Sequence, residues 1–185
     1  MLYTIFVYLH IVGALVLFSA MGIEWLCLTN LRKSSTHESI MLWLKNAMVL
    51  RKFFTTAFFL LLISGVYMMF ELWHNAGFAI IGLIGLLALA ITGGAVSGKK
   101  LGEIAKSAAQ DEAVMSLPEL INKVHAPFFW ESFIIRTFAA LGIVYTMKFK
   151  TDLVDSIIAV VIGIVVGFII AKASESPKAV KQTEV

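Results

Sequence analysis

The stretch GFAIIGLIGLLALAITGGAV, residues 77–96, decides the fold. It is twenty residues long and holds no ionisable side chain. A hydrocarbon core of about 30 Å takes about 20 apolar residues of α-helix, so this stretch reads as a transmembrane helix. Four more stretches read alike, at about 2–28, 53–73, 127–147 and 153–171. The expected fold class is all-α: a polytopic membrane helix bundle with five transmembrane helices.

Composition agrees with that reading. Apolar residues make up 59% of the 185 and charged residues 15%, against about 45–50% and about 25% in soluble domains. A water-soluble fold of this length cannot hide so much apolar surface. Disorder, a nucleic-acid module and a secreted disulfide scaffold are all disfavoured. The net charge of +3 is spread along the chain, which fits membrane topology better than a nucleic-acid footprint. Cys27 is the single cysteine, so there is no internal disulfide and no cysteine-based metal cluster.

Charge also orients the bundle. With the N-terminus outside, twelve of the fifteen basic residues, from Arg32 and Lys33 to Lys178 and Lys181, fall on the inner side. Lys148 and Lys150 fall outside, and Arg136 lies within the fourth span. This asymmetry predicts N-terminus out and C-terminus in. Residues 1–4 carry no basic side chain, whereas Arg32 and Lys33 follow the first apolar run. That order is the reverse of a signal peptide, and the segment reads as a retained first helix.

The connections differ in character. Asn75, Ala76 and Gly77 read as a tight outer turn, and residues 148–152 as a short outer loop. Segment 34–50 mixes Leu42, Trp43 and Leu44 with Lys45 and is expected along the inner surface. Segment 99–124 reads as an interfacial connector, amphipathic to about residue 114 and broken at Pro118. Residues 174–185 read as a disordered cytoplasmic tail.

Small residues recur at helical spacing in two spans. The third has Ala90, Gly94 and Gly98, and the fifth has Gly163, Gly167 and Ala171. In lipid such stripes let helices approach closely. Their expected use is packing, within the bundle, in a homo-oligomer or in a larger membrane complex. Neither span carries an ionisable residue at its centre, so both read as scaffold.

Charge at bilayer depth is costly and faces the protein interior. His10 and Glu24 are fourteen residues apart on the first span, so they share a face about 21 Å apart along the axis. On the fourth span, His125, Ser132 and Arg136 fall on one face. Arg136 needs a carboxylate or carbonyl partner. Glu24 is the best candidate by depth, Glu131 the second, and Arg51 and Lys52 are near enough to join. The expected inner polar network is Glu24, Glu131, Arg136, Arg51 and His125. It serves either as a buried ion pair docking helices one and four or as a proton or ion pathway.

An outer polar stripe holds Ser64, Tyr67, Glu71 and His74 on the second span. Glu71 and His74 form a Glu-x-x-His pair, a spacing that lets a carboxylate and an imidazole bind one metal ion. His10 would supply the third ligand to a divalent metal. The plainer reading is interfacial anchoring by Tyr, Trp and His. Haem b between His10 and His74 is the other cofactor option, with a depth mismatch of about 10 Å on helical rise. His37 and His125 lie on the inner side and cannot pair with His10. Cys27 reads as a small buried apolar residue. No nucleophile–base pair, phosphate loop or zinc motif stands out, and an enzyme is not the expected reading.

Several short motifs resemble a known group. They are Leu9-His10 with Gly13, Ser64-Gly65, Gly93-Gly94, Arg136, Leu141-Gly142-Ile143-Val144 with Met147, and Lys150-Thr151-Asp152-Leu153 with Ser156. Together they resemble a family of small bacterial integral-membrane proteins of unknown function, distantly similar to the copper-resistance CopD group. That family often has proline after the lysine, where this chain has Thr151. The resemblance implies a compact bundle in a prokaryotic cytoplasmic membrane, and similarity to the copper group raises His10 as a metal or cofactor ligand.

The leading expectation is a membrane protein that binds or passes a small ligand or cation through a polar interior between helices one, two and four. The alternatives are a haem- or metal-binding electron-transfer subunit and a structural or assembly subunit. Besides the lipid bilayer, the expected partners are other copies or a larger complex, and not nucleic acid.

Overall fold

A computed structural model describes residues 1–74, 76–110 and 116–174. The expected tail lies outside the described residues, apart from Ser174. Every element among the described residues is helical: α1 (Leu2–Lys33), α2 (His37–Leu72), α3 (Gly77–Ala90), a π-helical segment (Ile91–Gly98), α4 (Lys99–Gln110), α5 (Leu117–Val124), α6 (Pro127–Phe149) and α7 (Leu153–Ala173). Five helical stretches are long and apolar enough to cross a membrane, with α3, the π segment and α4 running on as one of them.

Residues 37–50 of the expected connector are helical and continuous with the second span, as the first part of α2. Only Ser34, Ser35 and Thr36 separate α1 from α2. The turn holds itself together: the Ser34 hydroxyl donates to Asn30 O at 2.9 Å and lies 2.8 Å from Ser39 Oγ. Thr36 caps α2 by accepting from the Ser39 N–H. Leu31, Ile40 and Leu44 are fully enclosed, so apolar burial overrides the charge that Lys45 puts on this segment.

The connector is likewise more than an interfacial strand of chain. Leu101 and Ala105 of α4 and Leu120 and Val124 of α5 belong to the same buried cluster as Leu31, Ile40, Leu44 and Phe129. α4 and α5 therefore close one end of the bundle as a packed layer, while residues 111–115 of the expected connector lie outside the described residues. Pro118 sits in the first turn of α5 and Pro127 in that of α6, where a missing N–H leaves no helical bond unmade.

Two hairpins make the frame, α1 with α2 and α6 with α7, and α3 packs on α6 and α7. Glycines set the close approaches. A Cβ on Gly13 would meet Leu60 Cβ at 3.1 Å, and one on Gly142 would meet Ala159 O at 2.9 Å. At one end the two tight loops touch, because a Cβ on Gly77 would overlap the Leu153 backbone. There Lys150, in the left-handed conformation (φ 51°), places its ammonium 4.4 Å from the Trp73 ring centre. The other end, which carries Arg32, Lys33, Lys99 and Lys100, is here called the basic end. It is clasped by the Trp130 indole N–H donating to Ser174 Oγ at 3.1 Å and by the Lys172–Glu131 ion pair at 2.6 Å.

The outside of the bundle is apolar. On α7, Val154, Ile158, Val161, Ile162, Val165, Phe168 and Ile169 are all exposed, a surface that only hydrocarbon solvates well.

Candidate functional site

The packing of α1 on α2 sets the register of the site. Gly13 lies against Leu60 and Leu61, and His10 against Ser64. Continuing that antiparallel register towards the basic end brings Arg51 level with Glu24. From the other hairpin, α6 delivers Arg136 to the same level: its Nη2–H donates to Glu24 Oε1 at 2.9 Å. Glu24 and Arg136 are only 9% and 8% exposed. Arg136 also donates from Nε to Ser132 O at 3.2 Å, so its own helix fixes the guanidinium. Of the two carboxylates the sequence offered to Arg136, Glu24 is the partner.

The third span supplies the wall behind this pair. A Cβ on Gly93 would collide with Arg136 Nη1, so glycine there makes room for the guanidinium. Gly93 lies in the π segment, whose wider turns occur mostly where a helix serves a site. A hydroxyl contact, Ser97 Oγ to Ser132 Oγ at 3.1 Å, ties that segment to α6.

Around the pair is a cavity of about 230 Å³ between α1, α2, α3, the π segment and α4. Leu17, Met21, Phe54, Phe58, Leu86 and Leu89 give it apolar walls, and Glu24, Arg51, Thr55 and Arg136 are its polar lining. Ala90, Gly93, Gly94 and Gly98 leave the space open. A Cβ on Gly94 would have nothing within 4 Å. Glu24 Oε2 is buried and has no hydrogen-bond partner among the described residues. A buried carboxylate oxygen left in that state is an unusual expense.

The structure redistributes the rest of the expected network. Glu131 is no part of it: it pairs with Lys172 of α7 at 2.6 Å. Five residues of helix turn it about 140° away from Arg136. His125 is also separate, exposed at the C-terminal cap of α5. The shared face assumed one helix from 125 to 136, but α6 starts at Pro127 and resets the direction. Arg51 remains, lining the cavity from α2.

The outer candidates do not converge. His10 Nδ1–H donates to Ser64 Oγ at 3.0 Å, and the Ser64 hydroxyl donates in turn to Leu60 O. The imidazole packs over Gly65, where a built Cβ would be in ordinary contact with His10 Cε1 at 3.5 Å. Phe6 and Tyr67 stack beside it at 3.9 Å between ring centres. Glu71 lies farther along α2 and His74 past its end at Leu72, both exposed. Since His10 is level with Ser64, the end of α2 at Leu72 already lies about 12 Å beyond it at helical rise, and His74 follows that end. Such spacing suits neither axial haem ligation by the two histidines nor a shared metal ion. Among the described residues no three of His, Cys, Asp and Glu gather as a metal site.

The sequence reading missed the third span. It carries no charge, yet it forms much of the cavity wall and touches Arg136. The signal was the adjacent pair Gly93-Gly94, read only as a family motif and a packing stripe. The fifth-span stripe is occupied within the chain: Gly163 and Gly167 face α6, and Ala171 is fully buried. Comparison with protein-family models, with curated proteins and with solved structures finds no match for this chain.

Proposed function

We propose that this protein is a multi-pass membrane protein, N-terminus out and C-terminus in, that binds a small ligand in the cavity beside Glu24 and Arg136. One observation carries the reading: the buried Glu24–Arg136 pair lines a mostly apolar cavity. Ligand sites are concave and mostly apolar, with a few placed polar groups that fix orientation. A purely structural ion pair needs no empty space next to it. Native mass spectrometry of the full chain, extracted in mild detergent, tests the reading. The wild type should retain an adduct that Gly94→Phe, which fills the cavity, fails to hold. A wild type without adduct, matching Gly94→Phe in mass, removes the proposal.

Cation passage is a second reading, favoured by the unpartnered Glu24 Oε2. Two guanidiniums against one carboxylate in the cavity lining oppose it, because like charge repels a cation in a weakly screened site. Potassium and proton flux into liposomes separates the two. Flux at the protein-free level for wild type and Glu24→Gln alike leaves binding as the function.

A further inference from the structure

The shape and charge of the cavity name a ligand class. The lining residues of α2 run from Ala47 to Phe58 and those of α1 from Leu17 to Leu28. Each run covers eleven residue steps, about 16 Å along the axis. The site is therefore long and lies parallel to the helices. Its character changes along that length. Beyond the charged layer, away from the basic end, the lining is Leu17, Met21, Phe54, Phe58, Leu86 and Leu89, with Thr55 the one polar side chain, its hydroxyl bonded to Arg51 O. A water-soluble anion there would lose hydration on every side without replacement.

The charged layer is unbalanced. Glu24 answers Arg136 at 2.9 Å. Arg51 has no ion-pair partner among the described residues. The lining thus carries one uncompensated positive charge, next to a length of apolar wall that a hydrocarbon tail fits. We propose that the cavity takes a single-chain anionic amphiphile, its carboxylate or phosphate head at Arg51 and Arg136 and its tail along Leu17, Phe58 and Leu86. Glu24 then acts as a positioning residue that holds Arg136 in the layer. This rests on the ligand-binding reading above and specifies its substrate.

Photo-labelling of the full chain in nanodiscs of zwitterionic lipid tests the class. The probes are diazirine-bearing dodecanoate, dodecyl phosphate and dodecyltrimethylammonium, with the labelled peptides mapped by mass spectrometry. The anionic probes should label the α2 and α3 cavity peptides about tenfold over the lipid-facing α7 peptides, the ratio expected for one charge-assisted contact. Gly94→Phe should abolish that excess. Arg51→Gln should lower it about tenfold, while Arg51→Lys, which keeps the charge, retains most of it. Preference between carboxylate and phosphate assigns the head group. If the cationic probe labels the cavity as well as the anionic ones, the anionic class is wrong and ligand binding stands. If cavity and α7 peptides label alike, and Gly94→Phe changes nothing, both fall.

Discussion

Two stripes of small residues follow one pattern and come to different ends. On α7, Gly163, Gly167 and Ala171 are spent on contact with α6. A Cβ on Gly163 would lie 2.5 Å from Phe138 O, and one on Gly167 would lie 2.9 Å from Ile135 Cα. On the third span, Ala90, Gly94 and Gly98 face a cavity. The difference lies in what stands opposite. The α6 helix answers with a notch of its own at Gly142, where a built Cβ would meet Ala159 O at 2.9 Å, and the backbones close. Opposite the third-span stripe stand α1 and α2, with Met21, Phe54 and Phe58 and the charged layer between. No hydrophobic force in a bilayer collapses a gap that lipid-like matter can fill. A small-residue stripe therefore specifies missing side chains, and the facing helix decides whether backbone or ligand takes their place.

The hardest test of this contrast is the layer that stands beside the open stripe. Arg136→Met leaves Glu24 buried with both oxygens unanswered, so it should cost about 3–5 kcal/mol. Equilibrium unfolding in mixed micelles reads the loss. The double variant Glu24→Leu with Arg136→Met should recover most of it, because an apolar pair replaces a buried ionic one at little cost. A double variant as unstable as the single would show that the pair does not act as a unit.

Next comes the closed stripe. Gly163→Ala drives a methyl into the Phe138 backbone, which cannot swing aside as a side chain can, and should cost about 1–3 kcal/mol by the same measurement. Gly93→Ala should cost less, because its methyl meets the far end of the Arg136 side chain, which can shift against its bonds to Glu24 and Ser132. An unfolding free energy for Gly163→Ala within error of wild type would break the account of the closed wall.

Five spans were legible because the apolar runs are long and the breaks short. Glu24 and Arg136 were legible as partners because depth along each helix can be counted from sequence. What failed was angular. The placement of His125 with Arg136 assumed a continuous helix, and Ala126-Pro127 interrupts it. Glu131 was near enough in number to Arg136 but turned towards α7, where Lys172 waits. The register between helices was also invisible. The contacts of His10 with Ser64 and of Gly13 with Leu60 and Leu61 show that Arg51 is level with Glu24, and that His74 lies far from His10. The cavity itself was illegible, since empty space depends on two surfaces and the sequence pattern describes one at a time.

A smaller effect belongs to the end of the α1–α2 hairpin remote from the layer. Ser64→Ala removes the hydrogen-bond partner of His10 Nδ1. The expected cost is about 1 kcal/mol, that of one ordinary hydrogen bond. Photo-labelling of the cavity should not change with it, since Ser64 is absent from the lining. Loss of labelling in Ser64→Ala at full stability would instead tie the two regions together.

The smallest change in stability is expected at the position most informative about the open stripe. A methyl on Gly94 meets nothing within 4 Å, so Gly94→Ala should shift unfolding by no more than about 0.5 kcal/mol, as for a substitution away from packed contacts. Glycine and alanine differ by about 1 kcal/mol in helix propensity, and the π-helical turn around Gly94 works against that gain. The contrast with Gly163→Ala is then between the same substitution on two stripes of the same pattern. Equal destabilisation at both sites would mean that the third-span stripe is closed by protein. A negligible effect at Gly94, with a clear one at Gly163, shows that the chain itself leaves the third-span stripe open, the condition that ligand binding there requires.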